Sequence, residues 1–142
     1  MLVNQKNGQL NLAQNLSVFR YMPIKEFTSR EDYSLWENIM DSEFMLGYMN
    51  EYKGYMDQKI NVSLFFLRTF LWCVELSFFL PTEQKSRFRE SDYPNADALR
   101  WRFHEKFLRS ELGDPPYNYQ WGFISLGNSQ FDKFSIIHIE YT

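Results

Sequence analysis

The stretch that decides the fold is Leu64-Phe65-Phe66-Leu67-Arg68-Thr69-Phe70-Leu71-Trp72-Cys73-Val74-Glu75-Leu76-Ser77-Phe78-Phe79-Leu80. Its two charges, Arg68 and Glu75, are seven positions apart, so a helix would carry them on one side. At hydrocarbon depth each charge would cost roughly 2.5 to 3.5 kcal/mol, which disfavours a membrane span. A buried core helix is the favoured interpretation. A β-strand is the competing one, because phenylalanine-rich runs do not decide the period.

The residues before this run predict a small sheet followed by helices. Asn7-Gly8 is a strong hairpin signal, because apolar segments flank it on both sides. Ser29 can cap a helix whose apolar positions follow at helical spacing as far as Met40. A second helix is predicted over residues 42–53, where aromatic side chains recur every four positions, and Gly47 weakens it.

The residues after the apolar run contain the clearest helix of the chain, over residues 95–112. Leu99, Phe103 and Phe107 recur every four positions, and a glycine followed by two prolines ends the segment. Residues 82–95 are polar and predict a surface loop. Alternating side chains after the prolines predict a half-exposed strand, and the last residues predict a C-terminal hairpin.

These elements predict one α+β domain over residues 1–142, in which N-terminal and C-terminal β-hairpins, or a small antiparallel sheet, enclose about three to four helices. A chain of 142 residues buries enough apolar surface to fold without staples. The single cysteine, Cys73, lies in an apolar run, which predicts a buried and unreactive thiol. Since the N-terminus shows no signal-peptide pattern, we expect a cytoplasmic protein.

Charge is distributed unevenly along the chain, although its formal net charge is only −3. Between residues 26 and 57, eight acidic side chains stand against two basic ones. Between residues 85 and 109, seven basic side chains stand against four acidic ones. Aromatic residues make up 19% of the chain, and aromatics are favoured both in cores and at protein interfaces. This combination predicts a surface that attracts a basic partner.

The function expected from this pattern is non-enzymatic protein binding. An acidic surface with aromatic anchors suits the blocking of a basic cleft, so the expected role is an immunity or inhibitor protein of a nuclease-like toxin. Neither a cofactor nor a membrane is expected to take part. The predicted partner-binding residues are Glu31, Asp32, Glu37, Asp41, Glu43, Tyr48, Tyr52, Tyr55 and Asp57.

Two alternative functions use other residues. An enzyme would need His138 and Glu140, which share one face of the predicted last strand. The solvated end of an edge strand explains that pair more simply, and neither histidine has the neighbours that a zinc site requires. A nucleic-acid-associated protein would use the stretch 85–109, which interleaves cations with aromatics. The cations singled out for that role are Arg87, Arg89, Arg100, Arg102, Lys106 and Arg109.

Overall fold

Most of the chain is antiparallel sheet in the computed structural model, which describes residues 2–54, 58–80, 96–129 and 134–142. The described helices are α1 (Ile24–Thr28) and α2 (Ala96–Leu112), with a 3-10 turn at Tyr33–Leu35. The described strands are β1 (Leu10–Ala13), β2 (Leu16–Val18), β3 (Glu37–Asp41), β4 (Met45–Lys53), β5 (Lys59–Leu67), β6 (Phe70–Phe78), β7 (Tyr117–Tyr119), β8 (Gly122–Asn128) and β9 (Ser135–Tyr141). β1 and β2 form a separate hairpin, and the other seven pair in the order β3-β4-β5-β6-β9-β8-β7.

The prediction of three to four helices enclosed by a small sheet was wrong, and the favoured central helix is absent. Residues 64–80 contribute instead to the hairpin of β5 and β6, which turns at Arg68 with a φ of 60°. Phe66 and Val74 are buried on one face of this hairpin, whereas Phe65 and Cys73 are buried on the other. Because its middle is buried on both faces, the sequence lacks the polar alternation that identifies a strand.

The two helices predicted before that run were also wrong. α1 is short, and the residues expected to continue a helix as far as Met40 form the 3-10 turn and β3. Residues 42–53 form a turn and β4, in which Tyr48 and Tyr52 face the core. A spacing of four residues keeps side chains on one face of a helix, but four is also even, so it keeps them on one face of a strand. The aromatic period therefore did not separate the two structures.

The core lies on one face of the seven-stranded sheet. The ring of Phe27 in α1 packs against Tyr48 and Phe66, with centroid distances of 4.9 and 5.3 Å. Phe78 of β6 packs against Phe107 of α2 at 4.8 Å. Phe78 is paired with Ile60 of β5, which lies six positions, an even number, from Phe66. Since such residues share a face, α1 and α2 cover the same side of the sheet.

Helix α2 confirms the helix predicted in this part of the chain, although its proposed cap, Asn95, and the predicted loop before it lie outside the described residues. Gly113 ends the helix in a left-handed conformation, with a φ of 85°. The buried stripe differs from the expected one, because Leu99 is 52% exposed while His104 is fully buried. Neither described helix is both long and apolar enough to cross a membrane.

Hairpins are present at both ends of the chain, as predicted. Val3 bridges Leu10 across the Asn-Gly turn, and β1 and β2 follow directly. At the other end β8 and β9 pair along their whole length, and the apolar face of β9, including Ile137 and Ile139, is buried. β9 lies between β6 and β8, inside the sheet. The expectation that it would be an edge strand was therefore wrong.

Candidate functional site

The sheet face turned away from α2 carries a concentration of polar side chains. Phe78 and Ser135 point toward the helix, where His104 Nδ1 lies 3.1 Å from the Ser135 hydroxyl. Because side chains alternate along a strand, the intervening residues of β6 and β9 point to the opposite side, together with their cross-strand partners on β5. We call this side the polar face, and its polar residues are Asn61, Ser63, Cys73, Glu75, Ser77, His138 and Glu140.

The polar face brings Cys73 beside His138 and Glu140, the pair that the sequence placed on one face of the last strand. Cys73 Sγ lies 3.5 Å from His138 Nδ1, and His138 Nε2 lies 3.4 Å from Glu140 Oε1. The order of groups resembles a nucleophile, a base and an orienting carboxylate. The thiol is 2% exposed, however, and burial raises its pKa, which the nearby Glu75 and Glu140 carboxylates raise further. A reactive cysteine needs the opposite surroundings, so this trio is a packed polar contact.

A cavity of about 390 Å³ opens on the polar face between β3 and the centre of the sheet. Glu37 contributes from β3, Asn61 from β5 and Glu75 from β6. Phe134 contributes from just before β9, and Ile136 contributes from β9 itself. The lining therefore combines acceptor oxygens with an apolar wall, as binding pockets do.

Glu75 is the buried acidic group of this cavity. Glu75 is 6% exposed, and burial raises the pKa of its carboxyl group to about 7. Among the described residues, no hydrogen bond or ion pair reaches its carboxyl group. Asn61 Nδ2 donates to Met49 Sδ at 3.2 Å, and the buried Asn61 Oδ1 has no partner within the described chain. Two acceptor groups of the residues that line the cavity thus have no partner among the described residues.

Three of the predicted partner-binding acids lie along one edge of the sheet. Glu37 and Asp41 belong to β3, and Glu43 lies in the turn that follows; all three are exposed. We call these three residues the acidic edge. β3 ends the strand order of the described sheet, so its outer backbone groups face away from β4. The fold therefore collects these carboxylates along an edge strand of the described sheet.

Large apolar side chains are exposed next to the acidic edge. Phe44 lies in the turn before β4 and is 52% exposed, and Leu67 is the last residue of β5 and is 44% exposed. The Arg68 backbone N–H donates to the Phe44 carbonyl at 2.7 Å, which joins the turn before β4 to the turn after β5. Sequence reasoning missed this pair, because whether an apolar side chain is exposed depends on which turns the sheet places side by side.

The remaining predicted binding residues have other surroundings. Asp32 accepts from Arg30 Nε at 2.8 Å and from the Tyr52 hydroxyl, and the guanidinium holds its pKa below the usual value. Glu31 is exposed beside this network. Tyr48 is 8% exposed and packs in the core, so it is not an exposed anchor. Two further predicted binding residues, Tyr55 and Asp57, lie outside the described residues.

In the described part of the basic stretch, residues 96–109, the cations differ in exposure. Arg100 is 4% exposed, lies 3.7 Å from Asp97 and covers the ring of Phe134 at 5.3 Å. The expectation that Arg100 would be displayed on the surface was therefore wrong. Arg109 pairs with Asp114 at 2.8 Å. Two further cations of α2, Arg102 and Lys106, are exposed, whereas Lys85, Arg87 and Arg89 lie outside the described residues.

The described residues contain no group of three His, Cys, Asp or Glu side chains placed to hold a metal ion. The candidate site therefore consists of the acidic edge, the exposed pair beside it and the cavity behind β3. Comparison of the chain with family models, curated proteins and solved structures found no match, so these comparisons lend no support to a role in toxin immunity.

Proposed function

We propose that this chain is a protein-binding domain that captures an extended, basic segment of a partner protein along β3. The observation that carries the proposal is the position of the acidic edge. Glu37, Asp41 and Glu43 are exposed beside a strand whose outer side has no neighbour in the described sheet. Within the described chain no ion pair involves any of the three.

The backbone of β3 supplies the first part of the recognition. An edge strand presents N–H and C=O groups that can pair with an added strand, and such pairing binds many extended peptides. The described register of β3 shifts between Asn38 and Met40, so the strand bends there. The partner segment should therefore be short, because a bend interrupts a long continuous ladder.

The carboxylates decide which segment binds. Two copies of this chain that met edge to edge would bring the acidic edge against itself, and like charges across an interface repel. A segment rich in lysine or arginine would instead place its charges near these carboxylates. The expected occupant is therefore a basic segment of another protein and not a second copy.

The exposed pair Phe44 and Leu67 supplies an apolar anchor at one end of the edge. Binding energy in protein interfaces is concentrated in a few desolvated side chains, and surrounding charges govern association rates. In this protein an aromatic side chain would supply binding energy, and the three carboxylates beside it would raise the association rate. The partner segment should accordingly carry one large apolar residue beyond its basic residues.

The test uses a fluorescent synthetic peptide of about ten residues in which Arg and Val alternate, with a second peptide in which Glu replaces Arg. In 0.1 M salt the protein should bind the first peptide and not the second. Glu37→Lys, Asp41→Lys and Glu43→Lys combined should weaken binding at least about tenfold, a loss of about 1.4 kcal/mol. Fluorescence anisotropy measures both affinities.

The matched control reverses three exposed acids elsewhere, Glu26→Lys, Glu105→Lys and Asp114→Lys, and so changes net charge equally. This control should keep most of the wild-type affinity, because screening limits the reach of exposed charges to about 10 Å at 0.1 M salt. Equal losses in the two triple variants, or no binding of the basic peptide to the wild type, would refute the proposal.

A further inference from the structure

The cavity behind β3 contains a carboxyl group that the fold leaves without a partner. Glu75 is more than nine-tenths buried and lines the cavity, and no described hydrogen bond or ion pair reaches it. Buried carboxyl groups are normally hydrogen-bonded or paired, since burial without compensation is unfavourable. Burial alone accounts for its raised pKa, with no neighbouring charge contributing. A missing cationic partner explains these observations together.

The rest of the lining matches one kind of cation. Asn61 Oδ1 is a second buried acceptor without a partner among the described residues, and it lies on the strand next to Glu75. Phe134, Ile136 and Met49 line the same cavity and offer apolar surface. A ligand that fits must therefore carry several donors at its tip and an apolar stem behind them.

We propose that this cavity binds the side chain of an arginine from the basic partner, and this inference rests on the proposed function. A guanidinium donates two parallel N–H bonds to one carboxylate, which Glu75 would accept. Its remaining N–H groups can reach a second acceptor, which Asn61 supplies. The aliphatic stem would lie against the apolar wall. Glu37 lines the cavity as well, so an arginine bound here would lie next to the acidic edge.

Arginine fits better than lysine for two reasons. A guanidinium presents five donors in a rigid plane, whereas an ammonium is a compact point charge with three donors. A guanidinium is also more weakly hydrated, so its transfer into a site lined by Phe134 and Ile136 is less unfavourable. The cavity should consequently discriminate between the two cations.

The test uses a small probe that does not need the backbone of β3, namely Nα-acetylarginine amide. Its binding to the full chain is followed by NMR titration, in parallel with the lysine analogue and with the uncharged citrulline analogue. The arginine probe should shift the Glu75 carboxyl resonance and lower the pKa of that group. The lysine and citrulline probes should bind at least about tenfold more weakly.

Glu75→Gln should weaken arginine binding at least about tenfold, while the matched control Glu105→Gln, an exposed position on α2, should bind as the wild type does. If Glu75→Gln does not fold, Asn61→Leu removes the second acceptor and should reduce affinity in the same direction. Equal binding of arginine and citrulline, lysine binding as tight as arginine, or unchanged affinity in a folded Glu75→Gln protein would overturn the assignment.

The two proposals fail in different ways. Asp41→Lys combined with Glu43→Lys changes the acidic edge at positions that do not line the cavity, so the small probe should still bind this variant with wild-type affinity. If the alternating peptide fails to bind while the probe binds through Glu75, the proposed docking along β3 is wrong and the arginine pocket stands. If the peptide binds and the probe does not, the pocket is wrong.

Discussion

Glu75 on β6 lies directly opposite His138 on β9, yet the imidazole contacts Glu140 at 3.4 Å and no described ion pair reaches Glu75. Cross-strand neighbours usually provide the partner of a polar side chain in a sheet. Here the histidine turns along its own strand, toward the residue two positions away. The result is a buried carboxyl group that faces a cavity, and this relationship decides where the candidate site lies.

The first prediction concerns pH and the Glu75 carboxyl group. Burial raises its pKa from 4.5 to about 7. The unfolded chain releases this proton at lower pH than the folded protein does, so the free energy of unfolding falls as pH rises from 4.5 to 7. One pKa unit corresponds to about 1.36 kcal/mol, and solvent in the open cavity screens the charged form, so the full effect should be about 1 to 3 kcal/mol. Above pH 7 the contribution of Glu75 to the free energy of unfolding no longer changes with pH.

Glu75→Gln removes this effect and provides the measurement. The variant should match the wild type near pH 4.5 and be more stable than it at pH 8, as urea unfolding measures. The groups that face Glu75 are His138 across the strand pair, Cys73 along β6 and Glu37 across the cavity. They remain in both proteins, so their contributions to stability largely cancel in the comparison. An equal difference at both pH values would contradict the prediction.

The second prediction concerns the buried His104. Its Nε2 accepts from the Phe78 backbone N–H at 3.0 Å, and its Nδ1 lies 3.1 Å from the Ser135 hydroxyl. Burial, with a smaller effect of the Arg100 charge, lowers its pKa from 6.5 to about 3. The unfolded chain therefore binds this proton first, and stability decreases as pH falls from 6.5 toward 3.

Replacement of the histidine tests this account. His104→Phe leaves the Phe78 N–H without an acceptor and should lower the free energy of unfolding at pH 7.5 by about 1 to 3 kcal/mol. The difference from the wild type should shrink as pH falls below 6.5, because the variant lacks the titrating group. Urea unfolding at pH 5 and 7.5 measures both effects. A difference that is independent of pH would show that His104 is not the responsible group.

The third prediction concerns the reactivity of Cys73. The thiol is buried and its pKa is raised, so little thiolate exists at pH 8 in the folded protein. Reaction with a colorimetric disulfide reagent should be much slower in the native protein than in urea. His138→Ala should not slow it further, since the imidazole does not activate the thiol. Faster labelling of the native protein than of the unfolded chain would indicate a nucleophilic cysteine.

The fourth prediction concerns the closest approach of β8 and β9. A Cβ at Gly122 would lie 2.0 Å from the Glu140 carbonyl oxygen, which is backbone and cannot turn away. Gly122→Ala should therefore lower the free energy of unfolding by roughly 3 kcal/mol, at the upper end for single substitutions. Gly113→Ala is the control, because it has a positive φ but no atom within 4 Å. It should cost about 1 to 2 kcal/mol, and equal losses in thermal unfolding would contradict the collision.

The sequence by itself determined the features that depend on near neighbours. The four-residue period ending at a glycine predicted helix α2, since helical contacts join residues close in the chain. Alternation predicted the apolar face of β9 and the shared side of His138 and Glu140, which the structure joins. The apolar neighbours of Cys73 predicted its burial. These conclusions need no knowledge of which strand lies next to which.

Only the tertiary structure decided what depends on strand pairing. The central apolar run forms a hairpin that is buried on both faces. Its sequence therefore lacks the polar alternation that would have identified two strands. Tyr48 and Tyr52 kept their common face in a strand, since a spacing of four suits both periods. The cavity around Glu75 assembles side chains from five strands, and the acidic edge exists because β3 lies at one end of the described strand order. Pairing joins residues far apart in the chain, and no local pattern in the sequence encodes it.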